Sequence, residues 1–351
     1  MKKLLLFLLI CLSTIITVAQ QLEITVINVG QGDSIFIKAP NNLKILIDAG
    51  TGGDADATIV PRSNAYNNIM SVLKANGVSP TAPLDYLIIS HFHTDHYGYV
   101  DNIVKDFGAP KIAILDRGGS QKWSGSQLSN FLAEYLLAVE TKRNPYGVMA
   151  IGAKIDLGNG GYLQLMALGY PDEIGAPDKR VKVWGCPDVL LGSDIENSKS
   201  MVFILRWNGF DTFLGGDTTE KVEPALAQVL AREHINTDVF KVSHHGSDSS
   251  NSGDFLSTMQ PEVAICSVGN SAIYKHPRQI AYDNLYNRCR CFIFQTDLGF
   301  DGPNSYSEPP VAYGVLADNS IQITFDGKMT YQIKFGGQIY SFFTDDSKAV
   351  Q

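Results

Sequence analysis

The segment His91-Phe92-His93-Thr94-Asp95-His96 constrains this chain more than any other. It places four ligand-type side chains in six positions, directly after the mostly apolar run Leu84-Asp85-Tyr86-Leu87-Ile88-Ile89-Ser90. In extended backbone, residues two apart point the same way, so His91 and His93 can reach one cation together. A turn after them swings Asp95 and His96 towards a neighbouring position. Two imidazoles suit one borderline-soft cation, and a carboxylate with an imidazole suits a second. A polar loop following a buried strand explains such a concentration poorly.

Strand and helix patterns alternate along most of the rest. Period-two runs at Leu22–Val29, Ser34–Lys38 and Lys44–Asp48 read as strands, the first closed by the turn signal Gly30-Gln31-Gly32-Asp33. Asn64–Asn76 reads as a helix stopped by Gly77, followed by the strand Leu84–Ser90, a helix near Tyr99–Phe107, the strand Lys111–Leu115 and a helix Gln127–Val139. Tyr162–Ala167, Met201–Trp207, Thr212–Gly215, Val239–Ser243 and Val263–Val268 read as later strands. Helices at Val222–Arg232, near Gly253–Met259 and near Ile280–Asn287 alternate with them. The tail, Tyr313–Phe325 and Tyr331–Phe335, reads as paired strands turning at Asp326-Gly327. With no fixed-period repeat and no linker, residues 20–351 are expected to form a single α/β domain of two mixed sheets flanked by helices, a four-layer αββα sandwich.

The first 19 residues have the three parts of a secretory signal peptide: Lys2-Lys3, a short apolar stretch from Leu4 and a small residue at Ala19. Interrupted by Cys11, Ser13 and Thr14, the stretch is short for a span of roughly 20 apolar residues. Cleavage, secretion or release into a periplasm, and no lasting membrane insertion are therefore expected. Without the signal, 26 basic residues face 36 acidic ones, a net charge of −10. That balance argues against tight nonspecific binding to a nucleic-acid backbone, which requires Lys and Arg to displace counterions. Four cysteines, Cys186, Cys266, Cys289 and Cys291, are too few for a disulfide scaffold. Cys266 reads as a small buried apolar group.

Six of the seven histidines fall in three places at strand ends: His91, His93 and His96, then His244 and His245, then His276. The pattern His-x-His-x-Asp-His after an apolar strand resembles the signature of the metallo-β-lactamase fold. The likeness continues in order through Asn28–Ser34, Leu46–Gly50, Glu196–Ser200, Gly216-Asp217, His244-His245-Gly246-Ser247, Ser267-Val268-Gly269 and His276-Pro277. The set is most similar to the soluble domain of the ComEC-like, DNA-uptake subgroup. Tyr99 departs from a second glycine often seen after Gly98.

This resemblance implies two divalent cations, zinc or alternatively manganese, held by His91, His93, Asp95, His96, Asp217 and His276. Asp217 matches the bridging carboxylate. His244 and His245 would contact the substrate phosphoryl group or a metal, and His245 is the alternative to His276 as the last ligand. Asp95, His244 and His245 are the catalytic candidates. Asp48 would orient a ligating imidazole, Asp33 would lie near the metals, and Ser200 and Ser247 would meet a phosphate oxygen. Asn197 stands where many members of the fold supply a histidine. Its amide oxygen ligates weakly, which loosens the first ion or suits a metal that accepts oxygen.

The expected activity is hydrolysis of a phosphodiester or other phosphoester by water activated between the two ions. The substrate is then a small phosphoester, with nucleic acid a partner only as substrate. Hydrolysis of a lactone, thioester or β-lactam at the same centre, and a non-catalytic metal-binding protein of this fold, are the alternatives.

Overall fold

The computed structural model describes residues 21–50, 62–118, 133, 135–137, 146–171, 178–192 and 195–344. The expected signal peptide and most of the expected helix 127–139 lie outside these residues. In chain order the strands are β1 (Leu22–Val26), β2 (Ile35–Lys38), β3 (Lys44–Ile47), β4 (Tyr86–Ile88), β5 (Ala113–Asp116), β6 (Tyr146–Val148), β7 (Lys154–Gly158), β8 (Gly161–Gly169), β9 (Arg180–Val183) and β10 (Val189–Leu190). They continue as β11 (Val202–Trp207), β12 (Phe210–Leu214), β13 (Val239–Lys241), β14 (Val263–Cys266), β15 (Phe292–Gln295), β16 (Gly314–Leu316), β17 (Ile321–Phe325), β18 (Thr330–Phe335) and β19 (Gln338–Phe343). Two mixed sheets result, in the orders β19-β18-β17-β1-β2-β3-β4-β5-β6 and β10-β9-β8-β11-β12-β13-β14-β15-β16, with β7 paired to β8.

Side-chain alternation explains the layering. Successive residues of a strand point to opposite faces. Ile45 and Ile47 of β3 join Phe203 and Leu205 of β11 and Val263 and Ile265 of β14 in a core between the sheets. Leu46 and Leu87, on the other face, pack with Ala65, Ile69 and Leu73 of the helix Arg62–Ala75 and with Ile103 and Phe107 of the helix Val100–Phe107. Ile204, Phe240 and Ala264 face Leu226 and Val229 of the helix Glu223–Arg232, Phe255 and Leu256 of the helix Gly253–Met259, and Leu285 of the helix Gln279–Cys289. Cys266 is wholly buried in this last core. The expected four-layer αββα sandwich is therefore the observed architecture. Each Leu or Ile buried in it stabilises the fold by about 1.5–3 kcal/mol, and such a frame can hold strained backbone at its strand ends.

The tail keeps the paired strands read about Asp326-Gly327, as β17 and β18, and differs from the reading upstream of them. β16 leaves the expected hairpin and pairs parallel with β15 in the second sheet, while β17 pairs antiparallel with β1 and β18 in the first. A run of apolar alternation does not say which sheet its two halves join. Parallel pairing has the larger consequence for function. β3 and β4 run parallel in one sheet, and β12, β13 and β14 in the other. Their carboxyl ends therefore open together along one edge, where α/β sheets place ligands.

Candidate metal centre

The residues following β3, β4, β12, β13 and β14 meet at that edge. After β4 come Ser90, His91 and His93, then the single helical turn Thr94–Tyr97 with Asp95 and His96. Asp217 follows β12, and His244 and His245 follow β13. Gly50, after β3, lets the loops interlock, because a β-carbon there would overlap the backbone carbonyl of Asp95. The Asp33 amide donates to that carbonyl at 3.0 Å, and the Gly50 amide donates to the Asp33 carbonyl at 2.9 Å.

Two groups with no residue in common are placed to hold cations, and a third, Asp33 with His96 and Asp217, shares its last two members with them. His91, His93 and Asp217 form one, and Asp95, His96 and His245 form the other, with ligand atoms within 4.8 Å of one another in each. Asp217 faces both. Its Oδ1 lies 3.3 Å from His96 Nε2 and 3.5 Å from His245 Nε2, while Oδ2 lies 3.8 Å from both His91 Nε2 and His244 Nε2. The carboxylate thus offers one oxygen to each side, the arrangement expected of a bridge.

Hydrogen bonding fixes which imidazole nitrogens point inward. Asp48 Oδ2 accepts from Ser90 Oγ and from His96 Nδ1, both at 2.7 Å, so His96 carries its proton on Nδ1. Because Ser90 Oγ spends its hydrogen on Asp48, it accepts from His91 Nδ1 at 3.1 Å. His245 Nδ1 donates to the Ser267 carbonyl at 2.9 Å. Three Nε2 atoms consequently turn inward, with those of His96 and His245 only 3.3 Å apart. Lone pairs meet at that distance only with a proton or a cation between them. Asp217 Oδ1 and Asp33 Oδ2 are buried and accept no hydrogen bond. Buried orphan acceptors beside inward-facing imidazoles fit divalent cations.

The electrostatics agree. Burial opposes charge on His96, but the carboxylates of Asp217, Asp48 and Asp95 outweigh it and hold the imidazole well above its ordinary value. Burial likewise opposes charge on Asp217, yet His96, His245 and His244 keep that carboxyl well below its usual range. Burial, then the neighbouring His96 charge, pushes His91 well down. Without metal, the proton on His96 Nε2 therefore occupies the place a cation would take, and uptake would expel it. Zinc titration of the apoprotein at pH 7 is expected to release at least one proton per chain, seen as calorimetric heat that scales with the buffer's ionisation enthalpy. Affinity should weaken as pH falls. Heat independent of the buffer would contradict this.

His244 and His245 both adopt the left-handed conformation at φ 51°, at a cost of about 1–2 kcal/mol per residue. Asn251 brackets the turn, accepting from the Ser243 amide at 2.9 Å and donating to its carbonyl at 3.0 Å. The twist turns the two rings apart. His245 is buried and faces Asp95 Oδ2 at 3.5 Å, whereas His244 keeps 15 % of its side chain exposed at the rim, its Nε2 3.8 Å from Asp217 Oδ2. His276 stands outside both groups: its ring packs 5.2 Å from that of His244, and its Nδ1 lies 3.4 Å from Gln31 Nε2. The structure therefore brings His245, rather than His276, to the second group. Asn197 Nδ2 approaches His244 Nε2 at 3.1 Å. Ser200 accepts from the Asp217 amide at 3.1 Å and so positions that carboxylate from behind. Ser247 bonds to Ser249 within its own turn at 3.0 Å.

Three participants had no assigned role in the sequence reading. Ser90 links Asp48 to His91 and His96. Arg117, fully buried, grips Glu196 through Nε at 2.9 Å and Nη2 at 2.6 Å, and Glu196 Oε1 accepts from the Phe92 amide at 2.8 Å. Lys241 lies buried against Asp33 at 2.9 Å. Arg117 reads in sequence as part of a polar loop and Lys241 as a strand residue, and no local signal marks either.

Two sheets packed face to face, with imidazoles and carboxylates gathered at their open edge, are the architecture of the metallo-β-lactamase fold. Residues 27–181 match the metallo-beta-lactamase superfamily. Among curated proteins it is related to the ComEC-like competence proteins. It is 28 % identical over 287 residues to ComE operon protein 3 of Bacillus subtilis, covering 78 % of this chain and 32 % of that protein. It is 26 % identical over 278 residues to competence protein ComA of Neisseria gonorrhoeae, covering 78 % and 31 %. The chain thus spans about a third of the length of these relatives. Among solved structures, the metallo-beta-lactamase fold protein YhfI from Bacillus subtilis is similar over 92 % of this chain and 100 % of its own, at 10 % identity and a TM-score of 0.44. Human tRNase Z, short form, is similar over 86 % and 98 %, at 13 % identity and a TM-score of 0.40.

Proposed function

We propose that this chain is an exported hydrolase that uses two divalent cations, zinc or alternatively manganese, to cleave a phosphodiester. The observation that carries this reading is Asp217, which turns one oxygen to each of two His/Asp groups while His244 stays open beside them. Two cations held there would supply Lewis-acid neutralisation of phosphoryl charge and acidify water from a pKa of 15.7 to about 7.

The chain's own residues do the rest. Asp48 and the Ser267 carbonyl fix the tautomers of His96 and His245. His244 sits between Asn197 Nδ2 at 3.1 Å and Ser249 Oγ at 3.3 Å, at the rim where a leaving oxygen departs. From there it can stabilise phosphoryl charge or hand a proton to that oxygen. Asp95, with 17 % of its side chain exposed, closes the inner wall. The acidic balance of the chain favours a small phosphodiester over a long polyanion. Export rests on the pattern of residues 1–19.

The test is a substrate panel under one metal loading: bis-p-nitrophenyl phosphate, the corresponding monoester, short DNA, a lactone and a cephalosporin. The diester should be turned over fastest, and only with metal present. Preference for the lactone or the cephalosporin, or no metal-dependent turnover at all, would overturn the proposal.

A further inference from the structure

Lys241, the last residue of β13, keeps only 1 % of its side chain exposed, and so does its partner Asp33. The ammonium lies 2.9 Å from Asp33 Oδ1 and donates to the Val242 carbonyl at 2.9 Å. Asp33 Oδ1 also lies 3.6 Å from His245 Nδ1. The other oxygen, Oδ2, is buried and accepts no hydrogen bond. Asp33 together with His96 and Asp217 offers ligand atoms within 4.8 Å of one another. One carboxylate therefore stands between a fixed internal ammonium and the group placed to hold the second cation.

Packing does not explain the pair. Removing an ammonium and a carboxylate from water costs more than their attraction often returns, and apolar residues of similar volume hold a core at least as well. What the pair supplies is charge at a fixed place. An ammonium one carboxylate away from a divalent cation repels it in a medium that screens poorly, and both compete for the same negative oxygens.

We propose that Lys241 is a positioning residue that tempers divalent-cation binding: it engages Asp33 and opposes the cation at the Asp95, His96 and His245 side. The inference rests on the reading that these groups hold cations. It assigns Asp33 to Lys241 first and to a metal only when Lys241 is gone. With Lys241 gone, three carboxylates, Asp33, Asp95 and Asp217, would be available to a cation beside His96.

The test replaces Lys241 with an uncharged side chain of similar length, Lys241→Met, and titrates the apoprotein with Zn2+ against a chromophoric chelator. The product of the two association constants should rise at least tenfold, equivalent to 1.4 kcal/mol. At the same time the metal-free variant should melt at a lower temperature, because Asp33 is left buried and alone. A lysine with a merely structural role would lower the melting temperature without tightening Zn2+, and that result would overturn the inference. If Lys241→Met does not fold, Asp33→Asn and the double variant Asp33→Asn/Lys241→Met decide it. The double variant should bind Zn2+ more tightly than Asp33→Asn alone, and equal affinities would overturn the inference. Wild-type protein that takes up no Zn2+ would remove the site reading itself. Zn2+ bound by wild type but insensitive to Lys241 would remove only this inference.

Discussion

Asp217→Asn is expected to lower zinc content from two ions per chain to one or none, and to reduce phosphodiester turnover by about 10³-fold or more. The carboxylate presents Oδ1 towards His96 and His245 and Oδ2 towards His91 and His244. An amide keeps the shape but offers a single, neutral oxygen, so one side loses its ligand and the other its charge. Lewis-acid neutralisation of phosphoryl charge is worth several kcal/mol, and each 1.36 kcal/mol is tenfold in rate. Losing one of two cations therefore accounts for a loss of that order. Metal analysis and kcat on bis-p-nitrophenyl phosphate check it together. A variant that kept both metals and turned over within tenfold of wild type would show that Asp217 joins nothing.

Arg117→Met is expected to lower unfolding free energy by about 2–3 kcal/mol, less than the cost of breaking a fully buried ion pair, because Glu196 keeps 18 % of its side chain exposed. Arg117 makes a two-pronged grip on Glu196, and its guanidinium lies 4.6 Å from the Phe92 ring centroid. Glu196 also accepts from the Phe92 amide. The ion pair thus ties the helical turn Ile195–Ser198, with Asn197, to the loop bearing His91 and His93. Loss of zinc should begin at the His91 side for that reason. Adding Glu196→Gln to Arg117→Met should recover part of the lost stability, since no lone buried charge remains. Denaturant unfolding of the two variants measures this. A loss below 1 kcal/mol would mean the pair is a bystander.

How much of this was legible in the sequence depended on whether partners lie close in the chain. His91, His93, Asp95 and His96 are contiguous and follow one apolar strand, so their chemistry could be read locally. The alternation of apolar residues gave both faces of each sheet, and hence the layers. Asp217, His244 and His245 became readable through a resemblance carried by several spaced segments. The choice between His245 and His276 was not readable, because it depends on two successive left-handed residues that turn adjacent rings apart. Lys241 and Arg117 were invisible as site residues for a related reason. Their partners lie 208 and 79 residues away in the chain, and only the packing of one sheet edge against the other brings them together. The tail was misread where one alternating stretch divides between the two sheets.

Anomalous diffraction from crystals grown with zinc tests the central claim most directly. The account predicts two peaks, one on each side of the Asp217 carboxylate and roughly 3.5–4 Å apart, the first against His91 and His93 and the second against Asp95, His96 and His245. A single peak, or peaks away from Asp217, would contradict it.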